Sequence, residues 1–182
     1  DKFYLQDSAE LLANYIFYFG ISLSTMGILE PAINVFSYPK LLNYSKRNDK
    51  IKLKKATKNF VIQYLLCLFA IFLSLYFFIN EILRIFSIEN YYLDSNVYIS
   101  IILASTSIML LRMSNLLMYV FRLDRYNLIL SILNLLCFII LLIAFDIFLN
   151  NPLINVTYSI IIAMTFAIIA KAFLVIKAYR HI

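Results

Sequence analysis

Residues 64–79 read Tyr-Leu-Leu-Cys-Leu-Phe-Ala-Ile-Phe-Leu-Ser-Leu-Tyr-Phe-Phe-Ile, a run with no charge and no polar face. A membrane-barrel strand would alternate polar and apolar positions over about ten residues. This run is apolar on every side, as is Leu135 to Phe145, and both read as helices in an apolar medium. Just upstream, Lys50-Ile-Lys-Leu-Lys-Lys-Ala-Thr-Lys58 places five lysines in nine residues. A spanning-length apolar run with a basic flank is the pattern of a transmembrane helix whose flank lies in the cytoplasm.

Working outward, the same reading finds apolar blocks at about 9–39, 59–80, 97–121, 127–148 and 155–178. Each exceeds the ~20 residues a helix needs to cross the hydrocarbon. The expected fold class is an all-α integral membrane protein of five transmembrane helices in one domain, residues 1–182, and the 63% hydrophobic composition agrees.

Charge placement orients these spans. The connection Lys40 to Lys58 holds eight of the sixteen basic residues against one acid, Asp49. Arg122 and Arg125, then Lys171, Lys177 and Arg180, fall on the same side after two further crossings each time, making thirteen. Lys2 and Arg84 fall opposite, beside Asp7, Glu10, Glu81, Glu89, Asp94 and Asp146, and Arg112 lies within a span. The expectation is a multi-pass protein of the cell inner (plasma) membrane, N-terminus outside and C-terminus cytoplasmic. The chain opens at Asp1-Lys2 with neither initiator Met nor signal peptide, so it reads as a fragment lacking at least one upstream helix.

The formal charge of +6 does not point to nucleic acid, because the basic residues crowd beside spans and form no aromatic-interleaved groove. Contact with anionic membrane lipids accounts for them. Cys67 and Cys137 sit in apolar spans and read as small hydrophobes. One histidine, His181, two glycines and no metal-spaced ligand set leave no cofactor, metal or nucleotide site to expect.

Glu30-Pro31 interrupts the first block, and Pro31 should kink a helix that ends near Pro39. Asn48 or Asp49 suits the cap of the following helix. Ile85-Phe86 and Tyr91-Tyr92 suit a short interfacial helix, and Asn150-Asn151-Pro152 should break the outer end of the fourth span.

Several stretches also carry a family resemblance: Asp1-Lys2-Phe3 through Tyr15, Tyr38-Pro39-Lys40-Leu41, the run Asn48 to Lys55, and Ile85-Phe86-Ser87-Ile88-Glu89-Asn90-Tyr91. Their order and spacing resemble the polysaccharide (Wzx-like) flippases of the multidrug/oligosaccharidyl-lipid/polysaccharide exporter superfamily. The resemblance implies the C-terminal lobe of a two-lobed, twelve-helix flippase fold, its five spans matching the eighth to twelfth helices. It implies transport and no enzymatic step: flipping of a polyprenyl-pyrophosphate-linked oligosaccharide by alternating access. The implied partners are the lipid-linked oligosaccharide, an N-terminal lobe of the same chain, and polysaccharide polymerase machinery. The chain departs from the family at Asn150 to Thr157, where a glycine-rich turn is often found. Two alternatives remain open: a drug/cation exporter of the same superfamily, or a membrane-embedded glycosyl or acyl transferase or polymerase.

Charges inside a membrane are costly and mark pathways. Glu30 lies ten residues outward of Lys40, and Arg112 ten outward of Arg122, each ~15 Å of helix. Their matched depth allows a static ion pair, or an Arg112 that binds pyrophosphate bidentately with Glu30 and Pro31 in gating or ion coupling. Lys171 is a second phosphate contact or, as the sequence favours, a lysine that snorkels to the headgroups. Asn34 and Asn115, with Asn14 and Asn134, are polar within spans and can bond sugar hydroxyls or neighbouring helices, the latter favoured. The sequon Asn155-Val-Thr157 lies against the membrane and is set aside.

Overall fold

The computed structural model describes residues 9–85, 95–148 and 152–181. Among the described residues all regular structure is helical: α1 (Ala9–Gly27), α2 (Leu29–Lys46), α3 (Lys50–Ile85), α4 (Ser95–Val120), α5 (Asp124–Phe148) and α6 (Pro152–His181). Four stretches are long and apolar enough to cross a membrane, Lys50–Phe78, Asn96–Val120, Asp124–Ile147 and Leu153–Arg180, and α1 with α2 makes a fifth if counted as one bent span. On α5, Leu128, Ile132, Leu135, Leu136, Ile140 and Ile143 point outward. A surface of that composition is compatible with a multi-pass membrane protein.

The first block differs from its expected form. In place of one helix kinked at Pro31, the chain forms two, with a bend of 42° between Leu12–Gly27 and Pro31–Lys46. Proline has no N–H to give the carbonyl four residues earlier, and its ring crowds that carbonyl. For Pro31 that residue is Gly27, where α1 ends. Pro31 itself falls in the first turn of α2, where the missing donor costs no helical bond. Pro39, expected to end the block, is inside α2, which continues to Lys46. Pro152 likewise opens α6 at its first position, a place its fixed φ favours. The interfacial helix expected around Phe86 and Tyr91-Tyr92 lies outside the described residues.

α2 passes to α3, and α4 to α5, through two turns of the same construction. In the first, Asn48 adopts φ 52°, its N–H meets the Ser45 carbonyl at 3.3 Å, and the Asp49 N–H reaches back to Tyr44 at 3.1 Å. In the second, Arg122 adopts φ 58°, with Arg122 N–H to Tyr119 at 3.0 Å and Leu123 N–H to Met118 at 2.9 Å. This paired closure of the last helical carbonyls is the Schellman arrangement, which needs one left-handed residue. Asparagine tolerates that conformation well; arginine does so less readily.

The turns also hold each other. Ser45 Oγ donates to the Val120 carbonyl at 2.7 Å, and Arg122 Nη2 donates to the Ser45 carbonyl at 3.3 Å. The end of α6 joins them through Tyr179, whose ring lies 6.4 Å from Phe121 and 5.5 Å from Lys54 Nζ. At the other end of the bundle, Tyr98 Oη donates to the Leu75 carbonyl at 2.8 Å, and Ser100 Oγ to Thr157 Oγ1 at 3.3 Å. Both inter-helix turns and the α6 C-terminus thus share one end, the parity that five crossings require. The basic residues around both turns and on the last turns of α6 gather at that end.

Asp49 caps α3, as the sequence allows. Its Oδ1 accepts from the Lys52 N–H at 3.1 Å, and its Oδ2 pairs with Lys52 Nζ at 3.0 Å. The Lys52 side chain and then its backbone N–H hold the Asp49 carboxyl below the ordinary carboxylate range. A pKa lowered by folding contributes stability above the unfolded value, and that contribution is lost as pH falls through the folded value. The Lys52 amide, corrected for intrinsic exchange, should therefore keep constant protection from neutral pH down to about 4 and lose it below. In Asp49→Ala the protection should be low at every pH, as hydrogen exchange would show.

α4 is the central element, with Ile101, Ile102, Met109, Met118 and Val120 fully buried. It packs on α6, α1, α3 and α5.

Candidate functional site

α6 lies along both α4 and α5, whereas α4 and α5 meet each other much less. α6 thus bridges the two, and a buried polar cluster forms where the three helices meet. Lys171, on α6, rises into it. Nothing of Lys171 is exposed, and its Nζ donates to Asn115 Oδ1 on α4 at 2.5 Å and to Ser131 Oγ on α5 at 3.1 Å. Ser131 Oγ in turn donates to the Asn127 carbonyl at 2.8 Å. The expected snorkelling of Lys171 is therefore not what the fold does. Its head turns inward because two polar side chains on facing helices satisfy it there.

Both partners of the ammonium are neutral. An amide oxygen and a hydroxyl supply dipoles but no countercharge, so among the described residues the buried cation is held by hydrogen bonds and no ion pair. The ammonium has three N–H donors and these two acceptors engage two of them. Nearby on α5, the side-chain oxygens of Asn127 and Asn134 are buried without a partner among the described residues. Asn134 Nδ2 points to Met164 Sδ at 3.5 Å, a weak acceptor. Asn127, Ser131 and Asn134 recur at spacings of four and three, one side of a helix. The cluster thus holds one cation and, among the described residues, two unfilled acceptors, a donor and acceptor set suited to an anion bearing hydroxyls.

Of the residues singled out in the sequence, the fold brings Lys171 and Asn115 into direct contact. Arg112 lies three residues before Asn115 on the same side of α4 and is exposed. Asn34 is on α2, apart from the Lys171 cluster, with its side-chain oxygen buried and unpartnered among the described residues. Pro31 is exposed at the bend, while the side chain of Glu30, and with it the Glu30–Arg112 pair, lies outside the described residues. Sequence reasoning misses Ser131 and Asn127. Their spacing with Asn134 is visible, but only the packing of α5 on α6 turns that side toward a lysine.

The sequon is closed to modification in this fold. Asn155 and Thr157 are buried within α6 at the end opposite the basic turns, and Thr157 Oγ1 is engaged with Leu153 and Ile154. Cys67 and Cys137 are free thiols, and the described residues contain no cluster of three or more metal-ligating side chains. No family model, curated protein or solved structure matches this chain.

Proposed function

We propose that this chain is the C-terminal lobe of a flippase that carries a polyprenyl-pyrophosphate-linked oligosaccharide across the cytoplasmic membrane. The basic end faces the cytoplasm in this reading, as charge asymmetry in short connections favours. The observation that carries it is Lys171: a fully buried ammonium set between three helices whose partners among the described residues are both neutral. A structural role alone would be served at lower cost by an apolar side chain or a paired charge. An anion supplies the missing countercharge, and the unfilled Asn127 and Asn134 oxygens accept from sugar hydroxyls. Arg112 meets the pyrophosphate at the exposed surface of α4 one turn from Asn115, and Lys171 engages it once α4 and α5 part. The break at Ile28, with Glu30 and Pro31 beside it, is the hinge through which α1 and α2 follow that movement.

The cation balance argues against a drug/cation exporter, which needs acids in its cavity. Arg112→Ala should lower flipping of the lipid-linked oligosaccharide in proteoliposomes at least tenfold per folded protein, with membrane insertion intact. Normal transport by that variant would remove Arg112 from the pathway.

A further inference from the structure

A second polar feature lies on other helices. Between α2 and α3, at the basic end, is a cavity of about 290 Å³. Lys40 on α2 and Lys52 and Lys55 on α3 surround it, and Ser37, Asn59 and Gln63 line it farther along the helices. No acid lines it among the described residues. The nearby carboxylate, Asp49, is engaged with Lys52, while Lys40 and Lys55 have neither an ion pair nor a hydrogen bond among the described residues.

The distribution along the helices is informative. Lysines at a membrane surface alone would explain a basic rim. They would not explain Gln63, an exposed amide within the apolar span Lys50–Phe78, where hydrocarbon offers it no hydrogen bond. Ser37 and Gln63, on facing helices, extend the polar lining inward from the lysines. Immediately beyond, Val35 and Phe36 on α2 and Leu65 and Leu66 on α3 are exposed and apolar. The sequence of chemistries from the basic end inward is cations, neutral hydrogen-bonding groups, and then a hydrocarbon-compatible surface.

We infer that the α2–α3 cavity binds the phosphate headgroup of a membrane lipid, with Lys40 and Lys55 on the phosphate, Ser37, Asn59 and Gln63 on its ester and glycerol oxygens, and the chains along α2 and α3. Lysine suits a phosphate monoester as a point charge without demanding one geometry. The site uses none of the residues of the Lys171 cluster, so it stands whether or not the chain transports a lipid-linked sugar.

The test uses the intact protein in phosphatidylcholine nanodiscs containing a small fraction of dioleoyl phosphatidic acid, with retained lipid counted by native mass spectrometry. Wild type should retain one phosphatidic acid in at least tenfold preference to phosphatidylcholine. Lys40→Gln/Lys55→Gln should lose that preference about tenfold. Lys46→Gln/Lys58→Gln, which removes the same charge outside the cavity, should stay within twofold of wild type. Equal losses in both double variants, or none in either, would overturn the site in favour of diffuse surface charge. A further arm adds inorganic phosphate. Displacement of phosphatidic acid by an equal concentration of inorganic phosphate would reassign the cavity to the free ion and overturn the lipid, whereas displacement only at large excess supports it. Unchanged thermal unfolding of both variants ties any loss to the cavity.

Discussion

Lys171→Met is expected to abolish transport, at least tenfold below wild type, while leaving the protein as stable as before or more so. The side chain is fully buried and, among the described residues, its ammonium meets Asn115 and Ser131 and no carboxylate. Methionine keeps the unbranched length and removes a charge that no opposite charge offsets. The substitution leaves Asn115 Oδ1 without its donor, at about 1–3 kcal/mol, and relieves a desolvation cost of several kcal/mol for a buried ion. The net stability change should lie near zero or be favourable. A lysine serving only to tie α4, α5 and α6 together would behave differently: its loss would lower the melting temperature, and transport would fall only in proportion to the folded protein. Thermal unfolding in detergent, paired with a proteoliposome flipping assay normalised to folded protein, separates the two. Asn115→Leu makes a useful companion, because it strands the ammonium and should cost stability even where Lys171→Met does not.

The helices are legible in the sequence and their joints are not. Apolar runs such as Tyr64 to Ile79 have one solution in lipid, so α3, α4, α5 and α6 stand close to where hydropathy places them. Pro31 is visible, but the break falls one turn earlier, because the missing hydrogen bond belongs to the Gly27 carbonyl and not to the proline's own position. Pro39 reads as a terminus, yet α2 runs through it to the Schellman turn at Asn48. In the buried cluster, Lys171 and Asn115 are identifiable as polar residues within spans. Their partnership is not, since they are 56 positions apart and meet only through the packing of α4 on α6. Spacing also gives no reason for Lys171 to turn inward and not toward the headgroups. That choice is made by Ser131 and Asn115 on the facing helices, which a single helix's periodicity does not report.

Tyr64→Ala should be the most destabilising single truncation in the bundle, at about 3–5 kcal/mol. Tyr64 is 1% exposed and sits where α3 meets α4. Its hydroxyl donates to the Met109 carbonyl at 3.2 Å, and its ring lies 5.9 Å from that of Phe60. Lipid tails are as apolar as a leucine side chain, so burial from water contributes little to packing between membrane helices. The cost of truncation comes instead from the dispersion attraction that an unfilled cavity forfeits along its walls. Tyr64→Phe keeps the ring and loses only the hydroxyl, which should cost about 1 kcal/mol. Leu66→Ala is the control: Leu66, two residues on, is 64% exposed, and lipid fills the space a truncated side chain leaves. Its expected effect is within about 0.5 kcal/mol. Reversible unfolding of the three variants in mixed micelles would rank them Tyr64→Ala, Tyr64→Phe, Leu66→Ala. Equal losses for Tyr64→Ala and Leu66→Ala would mean that α3 presents a different face to α4, and that the outward placement of the apolar surface beside the α2–α3 cavity is wrong with it.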